Sequence, residues 1–302
     1  MGVNFGAGGA TITAPHVDSQ TSSIFAATRS LVFAGDRIVL ASKVGMRKVE
    51  GAQVPADVYQ LLSLDAQTGT VKDSREFLAF NSLKVFATND GHVIVSGRNV
   101  MRLTPDLRDA GSFEFGTQNS GDLENVSPDG SALGNAKLPG FEMIDTRTLK
   151  VTELTEEPSV ATSVNSRGFV TDNPYGYTDA AGHHVINHAQ CGGRPQFVTD
   201  DLILETGCKT PVVVDLRGNL VKVLPVKGGF SYAGVSQDGR RFALQDTMKH
   251  ERFVIYSLET WEPIAEVKPD LPGEEQSWSA FSPDGSMFVV GSPLKLTLYR
   301  LP

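Results

Sequence analysis

The chain has 302 residues, 40% of them hydrophobic and 21% charged, the make-up of an ordinary globular protein. A formal net charge of -8 argues against a general binder of nucleic acid or other polyanions. No apolar run is long enough to span a bilayer, so membrane insertion is not expected.

The first alternating segment is Ala10-Thr11-Ile12-Thr13-Ala14, preceded by the glycine-rich residues 1–9. From there a turn tetrad punctuates the chain about every forty residues, the spacing of repeats built from hairpins. Its forms are Phe33-Ala34-Gly35-Asp36, Thr88-Asn89-Asp90-Gly91, Ser127-Pro128-Asp129-Gly130, Asn165-Ser166-Arg167-Gly168, Val198-Thr199-Asp200-Asp201, Ser236-Gln237-Asp238-Gly239 and Ser282-Pro283-Asp284-Gly285. A second turn follows within each repeat but the last: Leu64–Gly69, Thr104–Leu107, Ile144–Arg147, Thr178–Gly182, Val214–Gly218 and Ser257–Thr260. Asp and Asn fold back on their own backbone and Gly supplies positive φ, so both markers are tight turns. Short β-branched or aromatic runs flank them, as in Arg37-Ile38-Val39-Leu40 and Phe253-Val254-Ile255-Tyr256, and these are strands.

Each repeat therefore supplies four strands, a to d, and no stretch carries a capped helical period. One such sheet cannot bury both of its faces alone. The expected fold is all-β, a seven-bladed β-propeller of four-stranded antiparallel blades in one domain over residues 1–302. The last repeat stops after three strands, Leu296–Arg300 being its third. Ala10–Ala14 is expected to supply the missing outer strand, the alternative being that residues 1–9 and their neighbours are a disordered remnant.

Function concentrates in variable loops held by a rigid scaffold. Here those are the d–a and b–c loops, which share one end of each blade, opposite the Asp-Gly turns. The largest is Ser42–Ala56. Basic and aromatic residues placed there are the ligand-binding candidates: Arg47, Arg98, Tyr175, Tyr177, Arg194, Lys249, His250 and Arg252. Trp278, at the start of an inner strand, is a candidate for the channel mouth or for packing between blades, and Tyr232 is its equivalent in the sixth repeat.

Cys191 and Cys208 are the only cysteines. One falls in a d–a loop and the other in a b–c loop, so both emerge at the same end. A disulfide between them is expected, worth roughly 3 kcal/mol in the chain-entropy account, and with it an exported, oxidising compartment, periplasmic or secreted. A cytoplasmic protein with two free thiols is the alternative. His184 and His188 would stand about 13 Å apart on a strand, too far for one ion. No nucleophile elbow, zinc-protease motif or phosphate loop occurs. No cofactor is expected, calcium held by loop carboxylates being the one possibility left open.

On Phe281–Ser286, Val126–Ser131 and the Asp-x-x-Thr-Gly turn of Asp65–Gly69, the chain resembles the WD-repeat-like and YVTN-type bacterial β-propellers. The resemblance implies the fold, a bacterial origin and export. The Leu64–Gly69 turn is similar to a repeat of pyrroloquinoline-quinone enzymes, but no tryptophan follows it and no other blade repeats it. The leading expectation is a monomeric, non-enzymatic module that binds a protein, peptide or small molecule on its d–a and b–c face. The alternatives are a propeller hydrolase or lactonase acting on a small ester with a metal at the channel mouth, and an orphan assembly scaffold.

Overall fold

A computed structural model describes residues 3–6, 9–13, 28–50, 54–79, 83–96, 99–114, 122–136, 140–155, 161–172, 174–186, 194–226, 228–248, 252–269, 278–291 and 295–302. Two short strands open the chain, β1 (Val3–Gly6) and β2 (Gly9–Thr13). The first blade is β3 (Thr28–Ala34), β4 (Arg37–Arg47), β5 (Ala56–Asp65) and β6 (Val71–Ala79). The second is β7 (Lys84–Ala87), β8 (Val93–Ser96), β9 (Asn99–Leu103) and β10 (Asp109–Glu114). The third is β11 (Asp122–Val126), β12 (Ala132–Ala136), β13 (Phe141–Asp145) and β14 (Val151–Thr155). The fourth is β15 (Ala161–Val164), β16 (Gly168–Asp172), β17 (Tyr175–Asp179) and β18 (Gly182–Val185). The fifth is β19 (Gln196–Phe197), β20 (Leu202–Glu205), β21 (Val212–Asp215) and β22 (Leu220–Val223). The sixth is β23 (Phe230–Val235), β24 (Arg241–Asp246), β25 (Phe253–Ser257) and β26 (Pro263–Val267). The last is β27 (Trp278–Phe281), β28 (Met287–Gly291) and β29 (Lys295–Arg300).

These strands form seven antiparallel sheets among the described residues, the make-up of a seven-bladed β-propeller. The expected latch is present: β2 pairs antiparallel with β29, Ala10 opposite Leu298 and Thr13 opposite Lys295. A strand that the sequence did not suggest lies outside it. β1 pairs with β2, so the last blade runs β1-β2-β29-β28-β27 and has five strands.

The strands group into two compact units, one of Met1–Phe115 with Pro269–Pro302 and one of Gly116–Lys268. In the first unit, Leu31, Phe33, Leu40, Leu62 and Leu64 of the first blade bury against Val289, Leu296 and Leu298 of the last. The other face of the first blade, with Val39, Tyr59 and Leu61, packs on Val85, Val93, Val95 and Leu103 of the second. In the second unit, Phe141 and Met143 meet Val164 and Phe169. Tyr177 and Val170 meet Phe197, Ile203 and Val214, and Leu204 and Val213 meet Phe242 and Tyr256. Burying each such side chain stabilises the fold by about 1.5–3 kcal/mol, which is why blades stack in pairs rather than standing alone. Close packing leaves no room at Gly134, where a Cβ would lie 2.4 Å from Val164 Cγ1 and 2.6 Å from Phe141 Cζ.

The a–b turns explain the repeated tetrad. Ser127 Oγ donates to Asp129 Oδ1 at 2.6 Å while accepting the amide of Ala132 at 3.0 Å. Ser236, Asp238 and the Arg241 amide repeat this at 2.6 and 3.0 Å, and Ser282, Asp284 and the Met287 amide at 2.6 and 2.9 Å. In the second blade Thr88 takes the serine's place, with Asp90 at 2.6 Å and the His92 amide at 2.9 Å. Gly130 and Gly285 take φ of 73° and 67° at the turn's last position, a conformation that costs most residues about 1 kcal/mol or more. At the c–d turns the aspartate itself caps the backbone. Asp65 Oδ1 accepts the Gln67 and Thr68 amides at 3.0 and 2.8 Å, and Asp145 Oδ1 those of Arg147 and Thr148 at 3.1 and 2.7 Å.

Candidate functional site

With both turn types spent on blade geometry, the opposite end of each blade carries the variable chemistry. In the first unit that end is dominated by the first blade. Among the described residues β3 pairs with β4 as far as Thr28 opposite Ser42, β4 continues to Arg47 against β5, and β5 continues against β6 to Asp57 opposite Ala79. Of the expected Ser42–Ala56 loop, Ser42–Arg47 and Ala56 are strand, so β4 and β5 form a long hairpin that projects at this end. Alternation of Val44 and Met46 with Lys43, Gly45 and Arg47 is the signal that marks the β4 part.

Several exposed positions of this projection are apolar. Val44 is 41% exposed, Met46 68%, Val54 60% and Leu78 39%. Its charges are turned on one another. Lys43 Nζ lies 2.7 Å from Asp57 Oδ1, and the Arg47 guanidinium donates to both oxygens of Glu76 at 2.7 and 3.0 Å, spanning β4 to β6. Pairs this exposed are worth about 0–1 kcal/mol each, so they neutralise the projection more than they hold it. Arg47 is thus engaged within its own blade. Trp278, half-buried at the first position of β27, packs against the apolar cluster of the first and last blades. Arg98 lies outside the described residues.

In the second unit the candidates separate. Tyr175 begins β17 rather than sitting in a loop, and its hydroxyl donates to Glu205 Oε1 at 2.5 Å. Burial first, and then the Glu205 carboxylate, push the Tyr175 phenol far above its ordinary value. Glu205 closes β20 and is only 3% exposed, a buried carboxylate that the sequence reading did not single out. Tyr177 is a core residue. Its ring stacks on His184 and meets Phe197 edge-on, and its hydroxyl reaches Asn165 Oδ1 at 3.4 Å, in the a–b turn at the other end of the blade. Alternation along β17 sends it into the interface with the fifth blade, away from the loops. Burial raises its phenol pKa as well.

Arg252 sits half-buried before β25, within 3.4 Å of Asp246 and 3.0 Å of Glu266, and over the Phe230 ring at 5.8 Å. Arg252 and then Lys268 hold the Glu266 carboxyl down at about 2. The cluster fastens β24, β25 and β26 at their loop ends. Arg194 is exposed just before β19, and Met248 is exposed at the b–c turn of the sixth blade. Tyr232 is half-buried on β23, its phenol raised by burial. Lys249, His250 and Cys191 lie outside the described residues, as does His188, while Cys208 lies between β20 and β21. Among the described residues no group of three or more His, Cys, Asp or Glu side chains is arranged to hold a metal ion. No helix among them is long and apolar enough to cross a membrane.

Fold and site together define the chain as a seven-bladed β-propeller with one unusually extended blade. No protein-family model matches it, and no curated protein is significantly similar to it.

Proposed function

We propose that this propeller is an interaction module of the WD-repeat-like or YVTN-type kind, engaging a protein or peptide through the d–a and b–c ends of its blades. The observation that carries this reading is the projection of the first blade, where Val44, Met46 and Val54 stand exposed beyond the scaffold. Exposed apolar side chains gathered on one projecting element mark contact surfaces, whereas the same residues scattered singly would not. Export is part of the proposal. No cysteine is free among the described residues, which supports a Cys191–Cys208 bridge and an oxidising compartment.

Replacing Met46, Met248, Gln67 and Arg217 in turn with a photo-crosslinking amino acid tests the reading in the source cell. Adducts are expected from positions 46 and 248 at the loop ends and not from the turn positions 67 and 217. Equal labelling from the turn positions, or none from the loop ends, would overturn it.

A further inference from the structure

We propose that Asp238–Gly239, in the a–b turn of the sixth blade, is a modification site at which the folded chain converts its aspartate to isoaspartate. The inference is independent of the interaction-module reading and starts from a chemical hazard that the repeat carries. Asp-Gly occurs at Asp90, Asp129, Asp238 and Asp284, each time in an a–b turn. Glycine has no side chain to shield its amide or to restrict its backbone, so the nitrogen of an Asp-Gly bond reaches the aspartate Cγ more readily than in other dipeptides.

In the reaction the Gly239 nitrogen attacks Asp238 Cγ. The amide hydrogen and the carboxyl hydroxyl leave as water, closing a succinimide ring. Water then reopens the ring. Addition at Cγ restores aspartate. Addition at the backbone carbonyl breaks its bond to nitrogen, so the chain runs on through Cγ and the former backbone carbonyl becomes a free carboxylate. One water is lost and one regained, and nothing is oxidised or reduced.

The turn opposes this chemistry in all four blades. The glycine amide is engaged by a backbone carbonyl: Gly91 donates to Thr88 at 3.1 Å, Gly130 to Ser127 at 2.9 Å, Gly239 to Ser236 at 3.0 Å and Gly285 to Ser282 at 2.9 Å. Each carboxylate also accepts the hydroxyl two residues back at 2.6 Å. What differs is the remaining hold on the carboxylate. Ser131 gives Asp129 an amide at 3.0 Å and a hydroxyl at 2.8 Å. Ser286 gives Asp284 an amide at 3.1 Å and a hydroxyl within reach of both oxygens, at 2.9 and 2.8 Å. Asp90 is gripped by the Arg102 guanidinium and lies 3.2 Å from His92 Nδ1. In the sixth blade Arg240 stands where the third and last blades have that serine. Its amide donates to Asp238 at 3.1 Å, but its Nε stays 3.8 Å away on a side chain 82% exposed.

Access separates the four as well. Gly130 and Gly285 are buried and Gly91 is half-buried, whereas Gly239 is exposed and Arg240 with it. A Cβ on Gly239 would meet nothing within 4 Å, so this turn has room to twist. Its φ of 67° equals that of Gly285, so backbone strain is not the difference. Ring closure needs the turn to open locally, and hydrolysis needs water at the ring. Both favour the exposed turn with the fewest carboxylate partners.

The whole protein is held for weeks at neutral pH and body temperature and digested with chymotrypsin, and the peptides carrying the Asp-Gly bonds are scored for isoaspartate by electron-transfer fragmentation. Isoaspartate is expected at 238 at least about three-fold faster than at 90, 129 or 284, the factor that one hydrogen bond supplies. Arg240→Ser restores the hydroxyl that Ser131 and Ser286 provide, and is expected to slow position 238 by a similar factor with an unchanged thermal midpoint. In denaturant, where the turns are lost, the lead of position 238 should disappear. Equal native rates at all four bonds, no isoaspartate at 238 in the time the denatured chain forms it, an undiminished lead in denaturant, or an Arg240→Ser variant that isomerises as fast as the parent would each overturn the proposal.

Discussion

The two ends of each blade are built on opposite terms. At the turn ends polar atoms are consumed internally: Ser127 serves Asp129 and a backbone amide at once, and Asp200 in the fifth blade accepts from the Ser166 amide and hydroxyl of the fourth. At the loop ends charges also pair, as in Lys43–Asp57 and Arg252–Glu266, yet apolar side chains are left uncovered at Met46, Val54 and Met248. The difference teaches where fold and function are written. Turn ends specify blade geometry and tolerate little change, while loop ends are free to vary and to meet something else.

If that division is right, the largest stability losses come from backbone crowding near the turn ends. Gly168 opens β16, and a Cβ there would lie 2.0 Å from the backbone oxygen of Thr178, which cannot swing aside. Gly168→Ala should cost about 3 kcal/mol or more in chemical denaturation. A loss under about 1 kcal/mol would show that the turn end is more forgiving than this packing allows.

Next comes Ser127→Ala. It strands the buried Ala132 amide, while Asp129 Oδ1 keeps the Ser131 amide and hydroxyl, and it should cost about 1–3 kcal/mol by the same measurement.

Acid should act on the same end. The Thr68 amide holds the Asp65 carboxyl below its ordinary value, the Thr148 hydroxyl does so for Asp145, the Asn219 side chain for Asp215 and the Ser282 hydroxyl for Asp284. Carboxyls lowered on folding contribute stability that is fully present above the unfolded value of about 4 and is lost as pH falls through the folded values. The thermal midpoint should therefore decline steadily below about pH 4, and Asp284→Asn should decline less steeply than the parent. A midpoint that is flat down to about pH 2.5 would contradict this.

The smallest contrast sharpens the picture within the c–d turns. Leu149 and Trp261 both hold positive φ, 57° and 61°, where other blades use Gly69 or Gly218. The Trp261 ring lies 6.0 Å from Phe242 in a core cluster, so its burial offsets the strain. Leu149 is half-buried and belongs to no such ring contact. Leu149→Gly should raise stability by up to about 1 kcal/mol while Trp261→Gly lowers it, and changes of the same sign would refute the offset.

Most of the fold was legible because turn chemistry is local. Ser-x-Asp-Gly and Asp-x-x-Thr-Gly specify their hydrogen bonds within a few residues, and the missing fourth strand after Arg300 pointed back to Ala10–Ala14. Strand β1 was not legible, because Val3–Gly6 reads as a glycine-rich tail until β2 gives it an edge. The loop-end candidates were less legible still. Residue type points to Tyr177 and Arg252, but strand alternation turns Tyr177 into the core, and Arg252 is held by Asp246 and Glu266 from across its own sheet. Exposure of Val44 and Met46 depends on what lies beside the far end of the β4–β5 pairing, which neither strand's sequence shows alone.

The most direct measurement is the thermal midpoint of a variant combining Val44→Thr, Met46→Gln, Val54→Thr and Leu78→Gln. If the projection serves a partner rather than the scaffold, the midpoint stays within about 2 °C of the parent. A fall as large as that of Ser127→Ala would place these side chains in the fold's own core and remove the ground for a docking surface.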